Sequence, residues 1–167
     1  IVMVVMGLNQ GMQPIAGYNF GARQFSRVTQ VLKMTIIYAT CFTTFAFLLG
    51  LLCPRVLVSI FTSDAEMIDI AAHGLTITVL VFPIVGFQMV TSNFFQSIGK
   101  VNRSIFLSLT RQVLLLIPML LILPLFIGEK GVWYSMPISD IIAATLTVIM
   151  LVIQFKEWKK ESTEYRP

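Results

Sequence analysis

The chain has 167 residues, of which 56% are hydrophobic and only 12% charged. Soluble domains carry about 25% charged residues, so too few polar groups remain here to cover a core, and a lipid bilayer is the better solvent. The formal net charge of +4 comes from basic residues lying between apolar runs, a pattern that records membrane topology and excludes nucleic acid as a partner.

Five apolar stretches approach the ~20 residues that cross hydrocarbon as a helix. The expected spans are residues 1–21, 31–52, 67–98, 105–127 and 132–155, with a charged cytoplasmic tail at 161–167. No alternating strand pattern interrupts them, so the expected fold is all-α, a polytopic transmembrane helix bundle. Ile1 opens inside an apolar run without a charged n-region or cleavage signal. No signal peptide is expected, and a longer parent protein is. Cys41 and Cys53 lie in one predicted helix, roughly 18 Å apart along its axis, and cannot bond to each other.

The connections give orientation. Arg23, Arg27 and Lys33 follow the first span, Lys100 and Arg103 the third, and Lys156, Lys159 and Lys160 the fifth. The alternate connections mix charges, Arg55 with Asp64, Glu66 and Asp69, and Glu129 with Lys130. An excess of Lys and Arg marks the cytoplasmic side, so the expected C-terminus is cytoplasmic. Residues 54–61 read as a short interfacial helix, and Ser63 with Glu66 has capping-box spacing for the third span.

The first span carries Gly7-x-x-x-Gly11 and Gly17-x-x-x-Gly21, spacings that let helices approach closely. Pro14 frees a backbone carbonyl, and Asn9, Gln10 and Gln13 lie near that break. Amides exposed to lipid are costly, so these three line a wet cavity or bond between helices. The third span repeats the arrangement with Pro83, Gly86, Gln88, Ser92 and Gln96; its three polar side chains are spaced by four and form one stripe. Asp140 lies roughly 12 Å into the fifth span, and Arg111 roughly 9 Å into the fourth from the other side. A carboxylate at that depth is paired, wetted or titrating, so the two form an ion pair, or Asp140 is a proton or cation site, or it lines water without coupling. Pro137 precedes Asp140 as a helix-breaking candidate. The chain has one histidine, His73. There is no His/Cys cluster of metal spacing, no P-loop and no nucleophile elbow, so no enzyme and no metal site is expected.

The run Gln13-Pro14-Ile15-Ala16-Gly17-Tyr18-Asn19-Phe20-Gly21-Ala22-Arg23 resembles the end of the eighth helix of multidrug and toxic compound extrusion (MATE) transporters. Arg111-Gln112-Val113 through Pro118 and Pro124 looks like their eleventh helix, and Gly131-Val132-Trp133 through Asp140 like the start of their twelfth. The resemblance implies helices eight to twelve, most of one six-helix lobe of a two-lobe transporter in a bacterial inner membrane, with the N-terminal lobe as its missing partner. It implies export of small amphipathic organic cations by exchange for H⁺ or Na⁺, through alternating access and with no other cofactor. One subfamily holds a cation-binding acid in its tenth helix, where this sequence has Val85. The alternatives are a lipid-linked sugar flippase of the same superfamily and a non-transporting membrane scaffold.

Overall fold

The computed structural model describes residues 2–128 and 130–164, with side chains described as far as Lys160. Ile1, Glu129 and residues 165–167 of the expected tail lie outside the described residues. The helices in chain order are α1 (Val2–Gly21), α2 (Phe25–Leu52), α3 (Pro54–Ser59), α4 (Ala65–Val79), α5 (Phe82–Ser97), α6 (Val101–Leu109), α7 (Ile117–Ile127) and α8 (Lys130–Glu164), and a π-helical segment, Thr110–Leu116, joins α6 to α7. Among the described residues there is no strand, and the fold is all-α.

Three helical stretches are long and apolar enough to cross a membrane: Phe25–Leu52, Val101–Ile127 and Lys130–Lys160. The pair α4 and α5, bent by 52° at its break, makes a fourth. α1 has the length of a span but not the apolarity, because Asn9, Gln10, Gln13 and Asn19 interrupt it.

Several boundaries differ from the sequence expectation, each for a local reason. α2 begins at Phe25 rather than near residue 31, because Val28 and Leu32 are buried and carry the helix beyond the hydrocarbon. Arg27 and Lys33 are therefore helical, and the turn before them is short, with Arg23 in the left-handed region at φ 56°. The cap of α4 is Asp64, not Ser63: its carboxylate accepts from the backbone N–H of Glu66 at 3.0 Å and of Met67 at 3.4 Å. A charged acceptor one residue nearer the helix is the stronger cap. The third span is two helices. Pro83 has no N–H for the Val79 carbonyl, so it opens α5 rather than continuing α4. Helices α1 and α8 run through Pro14 and Pro137, since the loss of one ladder bond is tolerated where flanking turns hold.

α5 is the central helix and packs against α1, α2, α6 and α8. Gly86 permits its approach to α2, where a Cβ would lie 2.6 Å from the Thr43 hydroxyl oxygen. Gly74 accommodates the Trp133 ring, and Gly131 lies against the Leu123 backbone. The glycine spacings of α1 act otherwise than expected. Only Gly17 is close to a neighbour, the Ser97 carbonyl, while Gly7, Gly11 and Gly21 face open space.

The apolar core of Met12, Val28, Leu32, Phe94, Phe95, Ile98, Leu107 and Trp158 lies toward one end of the bundle. The three basic regions meet there. Phe20 and Phe25 pack on Trp158 with ring centroids 6.0 and 5.3 Å away, and Glu157 bonds both Lys100 and Arg103. The opposite end holds α3 and the exposed pair of Arg55 with Asp69, 3.0 Å apart.

Candidate functional site: a buried ion pair between two cavities

The inward face of α8 is polar along most of its length: Ser135, Ser139, Asp140, Thr147 and Gln154 are all buried. Their spacings of four, one, seven and seven keep them on one broad face, toward α5 and the helix before α8. Asp140 is only 7% exposed, and its Oδ1 accepts from Arg111 Nε at 2.7 Å. The structure thus joins the two charged residues found deepest in the sequence. Each offsets the desolvation of the other, a compensation that an unpartnered charge at this depth lacks.

Arg111 reaches this position from a π-helical turn. Pro118 lacks the N–H that would bond the Leu114 carbonyl, and its ring crowds that carbonyl. A wider turn over Thr110–Leu116 relieves the crowding and resets which face the following residues present; π-turns of this kind recur at functional sites. Beside the pair, Gln88 Nε2 donates to the Asp140 backbone carbonyl at 2.7 Å, while Gln88 Oε1 is buried without a partner among the described residues.

Two cavities flank the ion pair. The larger, about 400 Å³, is lined by Val81, Val85, Gln112, Ser139 and the pair itself. The smaller, about 180 Å³, is lined by Gln88, Ser92, Asn93, Ser108, Arg111 and Thr147. Arg111 and Gln112 belong to both. Arg111 is thus reached from both cavities, whereas Asp140 lines the larger one alone.

The sequence-predicted residues divide into two groups. Gln88, Ser92, Arg111 and Asp140 come together; the Ser92 hydroxyl bonds that of Ser108 at 3.0 Å. Gln13 joins them indirectly, donating to Asn93 Oδ1 at 2.9 Å and so tying α1 to α5. Asn9 is 2% exposed, in the interface of α1 with its neighbours, and neither of its amide atoms has a partner among the described residues. Gln10 and Gln96 are exposed and stand apart from the pair. Of the three residues expected in the α5 stripe, Gln96 therefore does not reach the site. Pro83 coincides with a helix break; Pro14 and Pro137 do not. Asn93, Ser108, Gln112 and Thr147 were not anticipated, although Ser104, Ser108 and Gln112 carry the same spacing of four in an apolar helix.

An all-helical apolar bundle with a charged pair buried beside two cavities fits a membrane protein of the transporter class. A family model described as MatE matches residues 1–122, and the chain belongs to the MATE family. Among curated relatives, the multidrug export protein MepA of Staphylococcus haemolyticus is 25% identical over 154 residues, covering 89% of this chain and 32% of MepA. A FAD transporter of Shewanella oneidensis is 22% identical over 142 residues, covering 85% of this chain and 31% of its own length. The solved structure of the MATE multidrug transporter DinF-BH superposes with a TM-score of 0.83 at 40% identity, covering 89% of this chain and 33% of that one. An inward-facing MATE family transporter of the MOP superfamily superposes at 0.84 with 20% identity, over 95% of this chain and 37% of that one. The chain spans about a third of the length of the relatives it matches.

Proposed function

We propose that this chain forms most of one lobe of a multidrug efflux transporter. That transporter exchanges small amphipathic organic cations for H⁺ or Na⁺ by alternating access and needs no other cofactor. The observation that carries the reading is the Arg111–Asp140 pair, buried yet bordered by two cavities. One subfamily of MATE transporters holds a cation-binding acid at the position of Val85, and Val85 lines the same cavity as Asp140. The cavity thus keeps a carboxylate, supplied by α8 instead of α5.

The outer face of α1 supports the same reading. Met3, Gly7, Gln10, Pro14, Tyr18 and Gly21 are exposed along one stripe, opposite the buried Val5, Met12 and Ala16. Pro14 also deprives the Gln10 carbonyl of its helical donor. By contrast α2 exposes Met34, Ile37, Tyr38 and Phe45. Gln10 and its freed carbonyl are the groups on the α1 stripe that lipid does not solvate. α1 therefore faces a solvated path, with a second lobe across it, and α2 faces the bilayer. The basic end of the bundle lies in the cytoplasm by the positive-inside rule, which places the C-terminus there too.

The test is dye efflux by the complete transporter, driven in turn by a proton and a sodium gradient. Wild type expels a fluorescent organic cation with one of the two gradients, and Asp140→Asn loses at least tenfold of that rate. Flipping of lipid-linked sugar with indifference to cations overturns the proposal in favour of the flippase.

A further inference from the structure

The larger cavity beside the ion pair presents both signs of charge and no surplus of either. Among the described residues Arg111 and Asp140 are the charged groups in its wall, and Phe82, Val85, Leu116 and Met136 supply much of the rest. The bond between the two charges occupies Nε of Arg111 and Oδ1 of Asp140. The terminal guanidinium nitrogens and Asp140 Oδ2 make no hydrogen bond among the described residues, and none of these atoms is buried without a partner. They therefore reach open space, which the cavities provide.

The apolar surroundings restrict the charge of a ligand here. The pair is neutral as a whole. A bound cation leaves the site with a net positive charge and a bound anion with a net negative one, and either is expensive inside a membrane bundle. A ligand that carries both charges adds neither. With its ammonium on Oδ2 and its carboxylate on the terminal N–H groups, four charges alternate and each has an opposite neighbour. Spacing narrows the choice further. The protein charges touch at 2.7 Å, and an ammonium and a carboxylate on one carbon stand about 3 Å apart by ordinary bond lengths. Charges at the two ends of a long molecule do not match that separation. The cavity volume of about 400 Å³ lies in the range of small-molecule sites and has room for an aromatic side chain against Phe82 and Met136.

We propose that this cavity binds an aromatic α-zwitterion, a molecule with ammonium and carboxylate on one carbon and a ring beyond it. The inference rests on reading the chain as one lobe of an efflux transporter, and it narrows the solute class at this cavity.

Three ligands that share an indole ring test it: tryptophan with both charges, tryptamine with the cation alone, and indolepropionate with the anion alone. Their binding to the purified complete transporter is measured by equilibrium dialysis in detergent. Wild type binds tryptophan at least about tenfold more tightly than either of the others. Asp140→Asn leaves the guanidinium and shifts the preference to indolepropionate; Arg111→Gln leaves the carboxylate and shifts it to tryptamine. Loss of fold weakens all three ligands alike, so it does not produce opposite shifts, and the wild-type order decides without any variant. Tightest binding of tryptamine by wild type, or binding of none of the three, overturns the proposal. Dye efflux by the same protein in vesicles is scored separately. Efflux without tryptophan binding sinks this inference alone, whereas tryptophan preference without efflux of any cation sinks the multidrug reading and leaves the site standing.

Discussion

Arg111 and Asp140 meet at 2.7 Å although their helices enter the bundle from opposite ends. Each lies ten residues from its helix start, Arg111 from Val101 and Asp140 from Lys130, or roughly 15 Å at 1.5 Å per residue. The pair therefore sits well inside the bundle, away from both of its ends. Removing either partner alone leaves an uncompensated charge. We expect Arg111→Gln and Asp140→Asn each to cost about 1–3 kcal/mol, below the range for a fully buried pair because Arg111 is partly exposed. The double variant R111Q/D140N recovers part of that loss but not transport. Thermal unfolding of the four proteins in detergent closes the cycle, and additive losses would mean the pair is not coupled.

Gln88 carries a second link to the same residue, through the Asp140 backbone carbonyl. Gln88→Leu removes the donor and keeps the volume. Interhelical hydrogen bonds in membranes average about 0.6 kcal/mol and reach about 1.7, so a loss in that range is expected. A loss of the same size follows Gln13→Leu, which breaks the bond to Asn93. The two add when combined, because they fasten α5 to different helices. Coupling beyond about 0.5 kcal/mol between them counts against that independence.

Close packing of α8 on α7 depends on Gly131. A Cβ there would lie 2.5 Å from the Leu123 carbonyl carbon, a backbone atom that cannot rotate away. Gly131→Leu is expected to cost at least about 1–3 kcal/mol by overpacking. The chain would then separate α7 from α8 and loosen the ion pair behind them. A melting temperature equal to wild type would show that this contact yields easily.

Legibility in the sequence followed the physical strength of each signal. Apolar length marked α2, α8, the span of α6 with α7 and the bent pair of α4 with α5, because the bilayer leaves the backbone no other way to satisfy itself. Depth in a span singled out Asp140 and Arg111, since a charge at that depth is expensive anywhere. Weaker polar groups were read less well. Gln88, Ser92 and Gln96 share one stripe by spacing, but the helix ends at Ser97, so Gln96 falls at an exposed end and not in the site. Gly7 and Gly11 have packing spacing, yet spacing does not say which flank of α1 has a neighbour. The π-turn was invisible because proline in an apolar run reads equally as a kink or a break.

That turn gives the last prediction. Pro118 denies the Leu114 carbonyl its ordinary helical donor, and the backbone answers with the wide turn from Thr110 to Leu116 that aims Arg111 at Asp140. Pro118→Ala restores the N–H and removes the ring, so an ordinary α-helical register becomes available to the segment. Since successive residues of an α-helix point about 100° apart, a relaxation by one residue turns the Arg111 side chain away from α8. The variant then loses efflux as Arg111→Gln does, although no charge and no polar group has been deleted. Combining it with Asp140→Asn adds little further loss, because the pair is already broken. Full efflux by Pro118→Ala would show that the turn is held by its neighbours and not by the proline.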